Sequence, residues 1–135
     1  MSLMVGLDTN VLVRYIMQDD ALQSPKATKT IDALDGVQSF GYVTLVAVIE
    51  LVWVLTTSYE LTRAQVAKAL DSLIRAKQLK TESADQVIRA LRVFKAGKSD
   101  FADCLIERSA NSAGCEKTIT FDANASRHAG MTLIV

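Results

Sequence analysis

Histidine, aromatic residues, net charge and long apolar runs are all scarce in this chain. His128 is the only histidine. One imidazole cannot support a histidine-based nuclease, and no Ser/His/Asp set can be assembled around it; its setting predicts a surface position near the end of a short helix. Aromatics make up 6% of the residues, so the core must come from Val, Leu, Ile and Ala. Fifteen basic and fifteen acidic residues cancel, so any nucleic-acid binding has to come from a local patch rather than from the field of the whole molecule. Cys104 and Cys115 have ten residues between them and no Cys-x-x-Cys spacing, which argues against zinc and for a reducing, cytoplasmic setting. No signal peptide is visible. The longest apolar run, Val43 to Leu55, is too short to span a bilayer and contains Glu50.

The 135 residues are enough for one domain with a real core, and half of them are apolar. There is no repeat, linker or low-complexity segment, so a single domain over 1–135 is expected. Met1-Ser2-Leu3, ahead of Met4, reads as an added N-terminal remnant and is set aside. Met4 to Leu7 is a short apolar run ending at Asp8, and Asn10 opens a new apolar pattern. That is the signature of a buried parallel strand passing into a helix over 11–17. Ser24-Pro25 predicts the cap and first residue of a helix over 25–35 that Gly36 stops. A strand is expected over 37–43, then a helix over 45–56 capped by Thr44. Thr62/Gln65 and Ser83/Gln86 are two capping boxes. The first opens a helix with Val66, Ala69, Leu70, Leu73 and Ile74 inward. The second opens one with Val87, Ile88, Leu91 and Phe94 inward, ended by Gly97. A short strand over 78–81 separates them. Ser99 or Asp100 caps a helix running to about Ala113. Strands over 117–121 and 131–135 flank a helical turn. Strands alternating with helices, without a hairpin signature, predict an α/β fold: a three-layer α/β/α domain with a mainly parallel central sheet of four to five strands.

Four acids stand out within this frame. Asp8 and Asp122 each follow an apolar strand, the position where open α/β sheets place their ligands; Asp8 also suits a helix cap. Glu50 is the only charge between Asp35 and Glu60. Its neighbours Val46, Ala47, Trp53 and Val54 predict a desolvated carboxylate, which is rarely tolerated without a partner. Asp100 and Asp103 lie three apart at a helix start, on one face, where they also complement the helix dipole. Asp19, Asp20, Asp32 and Asp35 fit helix ends and solvated faces. Four carboxylates within about 5 Å repel by roughly 3 kcal/mol per pair even at an effective dielectric near 20, so a cation or shared protons must offset the cluster. All-oxygen ligands favour Mg²⁺ or Mn²⁺, and such sites suit phosphodiester hydrolysis. Between residues 63 and 98 nine basic residues face Asp71, Glu82 and Asp85 alone. Of the nine, Lys95 and Lys98 immediately precede Asp100 and Asp103 and would form a basic rim for a phosphate backbone.

The ordered set Leu7-Asp8-Thr9-Asn10-Val11-Leu12, then Val48 to Leu55 around Glu50, Asp100-Phe101-Ala102-Asp103-Cys104-Leu105-Ile106 and Thr120-Phe121-Asp122 resembles the four motifs of the PIN-domain family. Within that family it most resembles the VapC-type toxins of bacterial toxin–antitoxin pairs. The resemblance covers essentially the whole chain. It implies a Mg²⁺/Mn²⁺-dependent endoribonuclease, a small VapB-type antitoxin that obstructs its site, and a homodimer. It maps the family's catalytic acids onto Asp8, Glu50, Asp103 and Asp122, with Asp100 as a further metal ligand. Thr9, Asn10 and Thr120 fall where the family orients its carboxylates. The chain departs from the family where a second acid or an aromatic often follows the last motif: here it reads Ala123-Asn124-Ala125-Ser126-Arg127, with Asn124 as a neutral oxygen ligand or RNA contact. A haloacid-dehalogenase-type phosphatase would need Asp-x-Asp-x-Thr, and a receiver domain a strand-end Lys. Two alternatives lie closer: a PIN-fold nuclease of RNA processing unrelated to toxicity, and a PIN-fold binding module that cuts weakly.

Overall fold

The structure, a computed structural model, describes residues 3–135. It is a parallel α/β fold, as the alternation of elements predicts, and it divides into two compact units, Met1–Glu82 and Ser83–Val135.

In the first unit β1 (Leu3–Gly6), β2 (Ser39–Val43) and β3 (Leu79–Thr81) form a parallel sheet in that order. Leu3 therefore belongs to the first strand, although its position ahead of Met4 set it aside; Met1 and Ser2 lie outside the described residues. Gly41 sits at the centre of β2 because a Cβ there would lie 2.7 Å from Leu7 Cδ1 and 2.9 Å from Leu79 Cδ2. Two leucines fill the space that a side chain would take. The helices are α1 (Thr9–Met17), α2 (Gln23–Asp32), α3 (Leu45–Thr57) and α4 (Arg63–Arg75). Here α1 packs on α2 and α3, and α3 on α4. Their fully buried residues, among them Leu12, Ile31, Val48, Leu51, Leu55, Val66 and Leu70, are aliphatic, as the scarcity of aromatics requires.

The caps follow local chemistry with three exceptions, at Ser24, Ser83 and Asp100. Thr44 accepts from the Ala47 N–H at 3.1 Å, and Thr62 and Gln65 complete a capping box at 3.2 and 2.9 Å. The helix expected over 25–35 instead starts at Gln23 and ends at Asp32. Asp20, not Ser24, supplies its opening: the carboxylate accepts from the N–H groups of Leu22 and Gln23, while the Asp20 N–H donates to Ser24 Oγ. Gly36, at φ +71°, lies in the turn beyond the helix. In that turn the Asp35 carboxylate accepts from the N–H groups of Val37, Gln38 and Ser39, which hold its pKa down at about 2.

The second unit contains α5 (Ala84–Ala96), α6 (Phe101–Ser112), β4 (Ile119–Thr120), α7 (Ala123–His128) and β5 (Thr132–Leu133). α5 and α6 pack together, with Phe94 edge-on to Phe101 at 5.8 Å between ring centroids. β4 and β5 pair in parallel across α7, and Ala125, Ala129 and Met131 form a small core there. Ser83 departs from its expected role. It adopts a left-handed conformation at φ +49° and makes no side-chain cap, so the second capping box does not form. His128 ends α7, partly exposed.

Candidate active site

In the first unit the acids arise where strands end. β1 and β2 run parallel, so their carboxyl ends share one edge of the sheet. Asp8 follows β1 as the cap of α1, its Oδ1 accepting from the Thr9 N–H at 2.8 Å. Thr9 is buried, while Asp8 and Asn10 are exposed. The capping role and the strand-end position thus coexist in one residue. Glu50 lies five residues beyond the start of α3, about 8 Å along its axis.

Glu50 is exposed, contrary to the desolvated carboxylate its apolar neighbours predict. Ala47, Val48, Leu51, Val52 and Leu55 point inward, whereas Val46 and Trp53 are 66% and 65% exposed. The apolar sequence around Glu50 is therefore split between two faces of the helix, and Glu50 shares the outer one.

The start of α3 carries a second acceptor that sequence reasoning missed. Glu82 Oε1 accepts from the Leu45 N–H at 3.0 Å, across 37 positions of chain, and the Glu82 N–H donates to the Val43 carbonyl at 2.8 Å. Glu82 thus ties the ends of β2 and β3 to the helix that bears Glu50. Nothing local in the sequence signals such a pairing. The same is true of Arg14, Asp19 and Tyr59. The Tyr59 hydroxyl donates to Asp19 at 2.7 Å, and Arg14 Nη1 reaches Tyr59 and Asp19 at 3.2 and 3.5 Å.

The second unit brings Asp100 and Asp122 each into electrostatic reach of Asp103. Asp103 lies in the first turn of α6, behind Asp100 at its N-cap, and Asp122 follows β4. Partial burial pushes the Asp103 carboxyl pKa up, and the negative charges of Asp100 and Asp122 push it further. Asp122 is fixed in place: its Oδ1 accepts from the Asn124 N–H at 2.8 Å, and the Asp122 N–H donates to Thr120 Oγ1 at 3.0 Å. Asn124 contributes this backbone contact from an exposed position. Asp100 makes no side-chain cap. Lys95, in the last turn of α5, and Lys98, in the turn before α6, are exposed.

Among the described residues none of Asp8, Glu50, Asp100, Asp103 and Asp122 is in an ion pair. Nor do three His, Cys, Asp or Glu side chains among those residues converge closely enough to hold an ion between them. The donor chemistry of these side chains nonetheless fits a hard divalent cation: all five offer carboxylate oxygens, none is in an ion pair, and burial together with the charges of Asp100 and Asp122 pushes Asp103 toward its neutral form.

Residues 5–131 match the family model described as PIN domain. No match was found among curated proteins. No helix among the described residues is long and apolar enough to cross a membrane.

Proposed function

The chain belongs to the PIN-domain family, a nuclease-type fold that typically works with divalent metal ions, and from that premise we propose that it is a Mg²⁺- or Mn²⁺-dependent endoribonuclease. The observation that carries this reading is the grouping of Asp100, Asp103 and Asp122, in which partial burial first, and then the charges of the other two, push the Asp103 carboxyl pKa up. Such a grouping is costly unless it serves a cation.

Asp8, Glu50, Asp100, Asp103 and Asp122 would hold the metal. When bound, the metal supplies activation of the attacking water and stabilisation of the leaving oxygen. The chain's own groups do the rest. Thr120 and the N–H groups at the start of α7 fix Asp122, Glu82 and Thr44 fix the start of α3, and Thr9 and Asn10 flank Asp8. Lys95 and Lys98 offset the repulsion that RNA phosphates meet near an acidic cluster.

In the finer reading the protein is the toxin of a VapBC-type pair: a single cytoplasmic domain over 1–135 that forms a homodimer and is held inactive by a small VapB-type antitoxin. The exposed Val46 and Trp53 on α3 are the kind of apolar surface that such partners cover. The test is cleavage of labelled RNA by the wild type with Mn²⁺ and with EDTA, alongside growth of cells expressing the chain with and without the neighbouring reading frame. Metal-dependent cleavage with growth arrest relieved by the neighbour supports the toxin. Cleavage without arrest supports an RNA-processing nuclease. Intact RNA under both conditions leaves a binding module.

A further inference from the structure

A cavity of about 370 Å³ opens in the first unit between β1, α1 and α2, within the size range of sites for small organic ligands. Its lining brackets Asp8: Leu7 precedes that acid, and Asn10 follows it. We infer that this cavity is a nucleotide subsite, holding one base of the RNA next to Asp8 and giving the enzyme its sequence preference. The inference rests on the nuclease reading above and assigns the substrate contact to named residues.

Three features select a nucleotide. Val5, Val11 and Ala27 give aliphatic walls, suitable for the faces of a base. Gln23 and Thr30 give amide and hydroxyl groups at the polar side, the groups that read base edges in single-stranded RNA. The charged lining residues are Arg14 and Lys26, with no carboxylate; Arg14 is paired with Asp19, so Lys26 supplies the positive charge for an anionic ligand.

The polar side is also organised in advance. Arg14 Nε donates to Gln23 Oε1 at 2.8 Å, which fixes the Gln23 amide and leaves its NH₂ to donate to a base carbonyl or ring nitrogen. Arg14 is in turn held by Asp19 and Tyr59. Lys26 is exposed and in no ion pair among the described residues, so it is available for a phosphate. An extended apolar peptide would use the aliphatic walls but would leave Lys26 without a counter-charge.

The test needs no metal and no cleavage. AMP, CMP, GMP and UMP are titrated in turn into the ¹⁵N-labelled chain with EDTA present. The expected result is saturable shifts of the Val11, Lys26, Ala27 and Thr30 amides, stronger for one base than for the others. Gln23→Ala and Lys26→Ala each should weaken that binding about tenfold, with the rest of the spectrum unchanged as evidence of folding. With Mn²⁺, the same variants should flatten the base preference at one position beside the cut. Nucleotides that leave these amides unmoved, an apolar peptide that moves them where nucleotides do not, or binding unchanged in both variants would each overturn the subsite. Failure of the nuclease reading shows separately, as RNA left intact by the wild type with Mn²⁺.

Discussion

α3 and α6 each carry one of the acids that the motifs single out, and they set it in opposite surroundings. On α3 nearly every residue is apolar, yet Glu50 is exposed, on the face that also presents Val46 and Trp53. α6 is far more polar, yet Asp103 is partly buried, with Asp100 and Asp122 acting on its charge. Apolar sequence around a carboxylate is therefore no measure of its desolvation. What counts is which face of the helix is packed, and which other charges the turns bring to it.

The largest effect expected from this contrast is on catalysis. Asp103→Asn and Glu50→Gln should each lower Mn²⁺-dependent kcat/KM on RNA by about 10³-fold or more, as loss of metal charge stabilisation implies. If Glu50→Gln cuts RNA like the wild type, the exposed acid lies outside the chemistry and only the α6 side of the comparison is functional.

The two faces of α3 can be separated by stability. Leu51 is fully buried, and Leu51→Ala should cost about 2–5 kcal/mol in urea unfolding. Trp53, two residues on and just over half a turn around the helix, faces outward, and Trp53→Ala should cost under about 1 kcal/mol. Equal losses would mean that the outer face is packed in solution.

Metal should act on the acids as a group. With Mn²⁺ at 100 times its dissociation constant the fold gains about 2.7 kcal/mol, read from thermal melts against EDTA, and Asp103→Asn should lose most of that gain. Coincident wild-type curves would count against a metal site.

The smallest effect is the pH dependence of the metal-free fold. The Asp103 pKa is raised from 3.8, so the folded chain holds that proton more tightly than the unfolded one. Its contribution is most favourable below 3.8, weakens as pH rises toward the raised value, and is then constant. Asp103→Asn should thus gain on the wild type as pH rises through that interval. Asp35 has the opposite sign: its pKa is about 2 in the fold against 3.8, so its stabilisation is present above 3.8 and is lost as pH falls through 2. Asp35→Asn should lower stability above pH 3.8 and flatten the loss on the acid side. Parallel curves for wild type and Asp103→Asn in EDTA would show that the three acids do not interact in solution.

Much of this architecture was legible where the controlling interaction is local. Thr44 and Thr62/Gln65 cap as their spacing predicts, and the strand-end positions of Asp8 and Asp122 follow from apolar runs stopped by an acid. Ser24 and Ser83 failed for a shared reason: several residues near a helix start can serve as the cap, and the chain's path into the helix decides among them. Asp20 takes the role from Ser24, and a left-handed backbone at Ser83 aims its hydroxyl elsewhere. Glu82 and the Arg14–Asp19–Tyr59 contacts could not be seen, because their partners are separated by about forty positions of chain. The PIN-like order of motifs was legible because it needs only sequence, and the family match covers residues 5–131.

Trp53 gives the protein a built-in optical probe. It is the only tryptophan in the chain, is 65% exposed, and lies three residues from Glu50 on the same helix. Its indole emission should be long-wavelength and readily quenched by iodide in the free protein. Any partner that covers the outer face of α3 should shift that emission to the blue and shield it from quencher. Assembly on this face can therefore be followed in real time, at low concentration and without a label.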